Sequence, residues 1–380
     1  MISPQFFLES LKSFQIDFFA GVPDSLLKDV CAYITDYIPS KNNVITANEG
    51  AAIGLATGYH LATGKIPVVY MQNSGLGNSV NPLLSLTDKE VYNIPLLLFI
   101  GWRGEPGVKD EPQHIKQGKT TLSLLESMSI NYAILSQNQE KFTLQLREAV
   151  SYINRTNEPF AFVVQKGTFE NYKLKLNADT IAFSLSREEA IQKVVSSLER
   201  DDLIVSTTGM ISRELFEYRE NNQQSHETDF LTVGSMGHAS QIALGVALQN
   251  KYKKVYCFDG DGAVLMHLGS LSIVGSLHPD NYVHIVFNNG AHDSVGGQPT
   301  VGLQIDLPQI AKSCGYTDVY TVSDTEGLNT VLTTIKGISG TIFVEIKVKK
   351  GSRKDLGRPS KTPIENKMAF MNFLSNRKLL

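Results

Sequence analysis

The chain has 380 residues, a formal charge of −3, and 42% hydrophobic against 19% charged residues. That length allows two domains with separate cores, and the near-balanced charge gives no general reason to expect nucleic acid. Three cysteines, Cys31, Cys257 and Cys314, stand far apart with no CxxC, which argues against a disulfide framework or a zinc site. The opening MISPQFFLESLKSF has an early acid and no apolar core, so it does not read as a signal peptide. No stretch reaches the roughly 18 apolar residues of a membrane span. A soluble, cytoplasmic, enzyme-like protein is expected.

Helix and strand alternate along the first half. Helices are expected at Pro4–Ser13, from Asp24 to about Ile34, at Glu49–Ala62 and at Leu76–Leu86. Strands are expected at Ile16–Phe19, Val44–Thr46, Pro67–Met71, Ile94–Ile100, Tyr132–Leu135 and Phe160–Val164. After a polar stretch at 171–185, read as a linker, the pattern resumes. Helices are expected at Arg187–Leu198, Arg213–Arg219, Ser240–Leu248 and near Leu328–Ile335, and strands at Leu203–Ser206, Asp229–Val233, Val319–Val322 and Thr341–Ile346. Such alternation means parallel sheets covered on both faces.

The most informative stretch is Tyr256–Asn289. A strand at Val255–Phe258 meets the turn Asp259-Gly260-Asp261-Gly262, a helix is expected over Ala263–Leu277, and a strand at Val283–Phe287 ends in Asn288-Asn289. Two parallel strands joined by a helix end at the same sheet edge, so Asp261 and the asparagines converge. One carboxylate with carboxamide oxygens suits a small hard cation such as Mg²⁺, and the glycines let backbone amides approach a phosphate. In contrast, Gln72-Asn73-Ser74-Gly75-Leu76-Gly77 is not a dinucleotide fingerprint, because the third glycine and the later acid are missing. It reads as a polar turn facing a ligand.

A Gly-Asp-Gly turn followed at this separation by Asn-Asn resembles the thiamine-diphosphate enzymes, in which the pair holds the metal that anchors the cofactor. Gly21-Val22-Pro23-Asp24-Ser25-Leu26-Leu27, NEGAAIGLATGYHLATGK, Asp110-Glu111-Pro112-Gln113-His114 and GSMGHAS narrow the likeness. They resemble the 2-oxo-acid decarboxylases acting on phosphonopyruvate, with those acting on sulfopyruvate next, over nearly the whole chain. The resemblance implies two doubly wound parallel-sheet α/β domains with no middle domain. A pyrimidine-binding domain would occupy 1–170, the linker 171–185, a diphosphate- and Mg²⁺-binding domain 186–350, and a basic tail 351–380 that covers the active site.

The resemblance also implies roles. Glu49 would bond the cofactor's pyrimidine and promote the imino tautomer that activates the thiazolium, a task suited to a nearly buried carboxylate. Met236 would wedge between the cofactor's rings, with Gly234 and Ser235 beside it. Asn73, Thr208, Gly260, Asp261, Gly262, Ala263 and Asn289 would complete the cofactor site, with His238 near the diphosphate. The metal would take side-chain oxygens of Asp261 and Asn289 and the carbonyl of Ala291. Ala263 stands where many relatives have serine. His114, in a charged loop, would act on substrate, since an imidazole near neutrality can supply the proton needed after decarboxylation. Asp24 and Ser25 would bind substrate, and Arg353, Lys354 or Arg358 would close over its anionic group. Cofactor sites shared between subunits imply a homo-oligomer, at least a dimer. The rival from another class is a non-catalytic α/β nucleotide-binding module.

Overall fold

In the computed structural model, which describes residues 1–175 and 183–376, the elements follow in chain order. They are α1 (Pro4–Ser13), β1 (Phe19–Gly21), α2 (Lys28–Tyr37), β2 (Asn43–Ile45), α3 (Glu49–Thr63), β3 (Val68–Gln72), α4 (Leu76–Pro82), β4 (Leu97–Gly101), α5 (Pro112–Ser127), β5 (Asn131–Ile134), α6 (Gln139–Thr156) and β6 (Phe160–Val164). There follow α7 (Arg187–Ser197), β7 (Leu203–Ser206), α8 (Met210–Asn221), β8 (Asp229–Leu231), α9 (Ala239–Gln249), β9 (Val255–Gly260), α10 (Asp261–Met266), α11 (Ser270–Leu277) and β10 (Asn281–Asn288). The chain closes with the two-residue strands β11 (Ala291–His292) and β12 (Gln298–Pro299), then α12 (Leu307–Ser313), β13 (Asp318–Val322), α13 (Thr325–Lys336), β14 (Gly340–Lys347) and α14 (Pro363–Asn376). It divides into one unit of Met1–Ala178 with Val295–Gln298 and another of Asp179–Ser294 with Pro299–Leu380. Of the expected linker, 176–182 lie outside the described residues.

The first unit's sheet runs β2-β1-β3-β4-β6-β5, all parallel. Successive side chains of a strand point to opposite faces, and both faces here are apolar. Val68 and Tyr70 of β3 join one core with Phe7, Phe99 and Phe142, while Val69 and Met71 join another with Ala52 and Ile53. The strand order reverses between β1 and β3, which opens a crevice at their carboxyl ends. The second unit repeats the plan as β13-β14-β10-β9-β7-β8, again parallel, with its reversal between β7 and β9.

Several boundaries differ from the sequence expectation. No loop separates β9 from α10: Gly260 is extended (φ −108°, ψ 158°), and Asp261 already opens the helix. The Gly-Asp-Gly glycines therefore serve close approach rather than a reversal of the chain. The single helix expected over Ala263–Leu277 is two, because His267 leaves helical geometry (φ −134°, ψ 51°) and Gly269, a poor helix former, follows it. Asp24 does not cap α2 directly. Its carboxylate accepts from Leu26 and Leu27 N–H in the turn that precedes the helix. His114 lies in the first turn of α5, not in a loop. Pro112 starts that helix with its preset φ, and the buried stripe is His114, Gly118, Thr121 and Leu125, too polar to register as apolar periodicity.

The C-terminal residues are not all a mobile extension. α14 lies along the edge strand β8, where the Asn366 carboxamide accepts from Leu231 N–H at 2.9 Å and donates to the Asp229 carbonyl at 2.8 Å. Asn366 thus pairs the edge as a neighbouring strand would. Asn366→Ala leaves two buried backbone groups unsatisfied and is expected to cost about 1–3 kcal/mol. A lowered urea midpoint with an unchanged slope is the measurement that checks this.

Candidate active site

In the first unit, parallel pairing of β1, β3 and β4 brings Asp24 and Ser25, Asn73, and Arg103 to one sheet edge. Asp24 is wholly buried, and its Oδ2 takes the Leu26 N–H at 2.8 Å. Oδ1 has no hydrogen-bond partner among the described residues. Burial pushes this carboxyl up to about 6, against the opposing pull of the backbone N–H groups and the Arg103 charge. Arg103 grips Asp110 through Nε and Nη2 at 2.8 and 2.5 Å and donates through Nη1 to Ser25 Oγ at 2.7 Å. That grip holds Asp110 down to about 2.

Asn73 is buried and engaged. Its amide donates to the Arg103 carbonyl and to Thr121 Oγ1 at 2.8 and 2.9 Å, tying the end of β3 to the end of β4. His114 is buried, with no hydrogen-bond partner for Nδ1 among the described residues. Burial, then the nearby Arg103 charge, lowers it to about 4. It is therefore a neutral ring at pH 7, not the near-neutral acid expected from the sequence. The carboxyl that exchanges its proton nearest neutrality on this edge is Asp24.

Glu49 opens α3, whose first turn Asn48 caps by accepting from Ala51 N–H at 2.9 Å. Its carboxylate is buried, and Oε2 accepts from Asn78 Nδ2 at 2.8 Å. Gly75 lies so close that a Cβ there would come within 2.5 Å of Glu49 Oε1.

In the second unit, the loop after β8 turns through Ser235 (φ 54°) and Gly237 (φ 87°). A Cβ on Gly237 would strike His267, so only glycine packs there. Met236 reaches over α10, its terminal methyl 3.4 Å from where a Gly262 Cβ would be, while the His292 ring stands 3.0 Å from the same point. Thr208, beyond β7, donates its hydroxyl to the Val233 carbonyl at 2.9 Å. Ser235 Oγ and His238 Nδ1 lie 3.1 Å apart.

Asp261 is buried, and burial pushes its carboxyl up to about 6 even though the Thr300 hydroxyl and the Asn289 N–H donate to it. Gly302 clears space beside it, since a Cβ there would lie 2.7 Å from Asp261 Oδ2. The two asparagines separate cleanly. Asn288 is spent on Gly302 and Glu345, donating at 2.8 and 2.7 Å, whereas Asn289 donates to Asp293 at 2.6 Å and accepts from Ala291 N–H at 3.0 Å. The buried Asp261 carboxylate, the Asn289 side-chain oxygen and the Ala291 carbonyl are hard oxygen donors of the kind Mg²⁺ takes. Thr300, Gly302, Asp293 and Arg103 carry this geometry and were not singled out by sequence. Arg103 left one trace, a charge three residues past the apolar run Ile94–Ile100.

Arg353 pairs with Glu188 at 3.0 Å, with Glu217, and with Asp355 at 3.2 Å, and Arg358 is also engaged.

The N-terminal TPP binding domain of thiamine pyrophosphate enzymes matches residues 4–124, and their C-terminal TPP binding domain matches residues 207–346. The chain is 34% identical to a phosphonopyruvate decarboxylase of Streptomyces viridochromogenes, over 94% of this chain and 91% of that protein. A phosphonopyruvate decarboxylase of Streptomyces hygroscopicus is 33% identical, over 98% and 94% respectively. A sulfopyruvate decarboxylase of Methanosarcina acetivorans is 29% identical, over 91% of each. With both cofactor-binding domains matched and the likeness running nearly end to end, the chain is a thiamine-pyrophosphate-dependent decarboxylase, a carboxy-lyase of the phosphonopyruvate decarboxylase family.

Proposed function

We propose that the protein decarboxylates 3-phosphonopyruvate to phosphonoacetaldehyde and CO₂ with thiamine diphosphate and Mg²⁺, a step of phosphonate (2-aminoethylphosphonate) biosynthesis. The observation that carries this reading is the near-complete likeness to two phosphonopyruvate decarboxylases. Sulfopyruvate is the second substrate to weigh, because a sulfopyruvate decarboxylase also matches over 91% of the chain.

Thiamine diphosphate, when bound, supplies the nucleophilic carbon and the electron sink. Asp261, Asn289 and the Ala291 carbonyl hold Mg²⁺, and Gly260, Gly262 and Ala263 leave the backbone open to the diphosphate. Met236, whose methyl reaches toward Gly262, would support the cofactor, together with Gly234, Ser235 and Thr208. Glu49 accepts or shares the proton of the pyrimidine nitrogen. On the substrate side, Ser25 and His114 offer neutral donors, Arg103 supplies positive charge, and Asp24 exchanges a proton near neutrality. Arg353 and Arg358 reach substrate only if their present partners release them.

A homo-oligomer is proposed as well, at least a dimer. α3 exposes Gly54, Leu55, Gly58 and Leu61, a face without charge, and α11 exposes Ile273 and Leu277. A second copy of the chain is the simplest cover for such faces.

An aldehyde-coupled assay offering phosphonopyruvate, sulfopyruvate and pyruvate, each with and without thiamine diphosphate and Mg²⁺, tests the activity. Phosphonopyruvate should be preferred and both cofactors required. Glu49→Gln and Asp261→Ala should each lose at least about 10²-fold in turnover, and near-normal rates in either would end this reading. Light scattering should show a dimer or larger assembly, with Leu55→Lys/Leu61→Lys shifting it toward monomer. The folded-state Asp24 carboxyl sits at about 6, above the ordinary 3.8. Its contribution to stability is therefore complete below pH 3.8 and is lost as pH rises through about 6. Asp24→Asn should accordingly gain in melting temperature over the unsubstituted protein between pH 4 and pH 7. A difference that stays flat across that range would refute the assigned cause.

A further inference from the structure

Behind Asn289 lies a buried ion-pair chain that the proposed reaction does not use. Arg187, the first residue of α7, is 5% exposed and donates through Nε and Nη2 to both oxygens of Glu214, at 2.8 and 3.0 Å. Its Nη1 donates to Asp293 Oδ2 at 3.0 Å. The same Asp293 oxygen takes the Asn289 Nδ2 at 2.6 Å and the Gly351 N–H at 3.0 Å. One carboxylate oxygen therefore gathers three donors, one from the head of α7, one from the end of β10 and one from the segment after β14.

A primary carboxamide can turn either its oxygen or its NH₂ toward a ligand, and its neighbours decide which. Asp293 Oδ2 accepts from Arg187 and from the Gly351 N–H, and by accepting from Asn289 as well it fixes the NH₂ of Asn289 on its own side. The Asn289 oxygen is thereby turned the other way, where it accepts one backbone N–H from Ala291 and keeps a second lone pair. Arg187 holds Asp293 in place, and Glu214 locks Arg187 in turn. The Gly351 N–H completes the hold, and Arg353, two residues on, is anchored by Glu188 and Glu217.

We infer that Asp293, locked by Arg187 and strapped by Gly351, is a positioning residue that sets the Asn289 carboxamide oxygen toward the catalytic cation. This rests on the reading of Asp261, Asn289 and Ala291 as cation ligands. It also gives the basic segment after β14 a task apart from substrate: it braces the metal clamp from behind. Partners of this kind orient a ligand without touching the metal, and their loss weakens metal binding about 10- to 100-fold.

The test uses the full-length protein with thiamine diphosphate and reads Mn²⁺ binding by electron paramagnetic resonance and calorimetry, independently of turnover. Asp293→Ala should raise the Mn²⁺ dissociation constant about 10- to 100-fold. Near-isosteric Asp293→Asn, whose carbonyl can still accept, should raise it less, with both variants folded by circular dichroism. Should Asp293→Ala not fold, Asp293→Asn carries the test, and a weakened Mn²⁺ affinity in it supports the inference. Wild-type affinity in every folded variant overturns it. Wild-type protein that takes up no Mn²⁺ with thiamine diphosphate overturns the ligand reading first and this inference with it.

Discussion

The second unit is organised around one unfavourable fact, a carboxylate placed almost out of water. Asp261 receives a hydroxyl and a backbone N–H, yet burial still holds its carboxyl at about 6. Hydrogen bonds to neutral groups do not cancel the cost of desolvating a charge, whereas a divalent cation would. Much of the surrounding structure answers that need. Gly302 gives up its side chain, Asn288 is tied away into the sheet, and Asn289 is left beside the carboxylate with its oxygen available.

The first unit shows a different electrostatic arrangement. There a cation is present, and Arg103 is matched by Asp110 and shared with Ser25. Burial raises the Asp24 carboxyl to about 6 against the pull of Arg103, and burial, then the Arg103 charge, lowers His114 to about 4. The edge of the second unit gathers carboxylate and carboxamide oxygens, and the edge of the first holds donors and a carboxyl raised to about 6. Both lie where a parallel sheet reverses its strand order, the place where α/β sheets open a crevice.

Much of this was legible in the residues. The fully apolar run Ile94–Ile100 reads as a strand buried on both faces, and β4 forms within it and runs to Gly101. Helix α5 was not legible, because its buried stripe is histidine, glycine and threonine packed on polar and backbone groups. The division of labour between Asn288 and Asn289 was equally hidden. Their side chains are chemically identical, and only their partners, Glu345 from a distant strand and Asp293 from the turn that follows, tell them apart.

The sequence alone determined the class of fold and the kind of chemistry, because periodicity and donor type are local properties that survive without coordinates. Tertiary structure decided which groups are charged and which are spent. Burial and neighbours separated by tens to hundreds of residues raise Asp24, silence His114 as an acid, commit Arg353 to Glu188 and Glu217, and turn Asn289 by way of Arg187 and Asp293. Desolvation and ion pairing depend on what the fold brings within a few ångströms, and no local pattern encodes that.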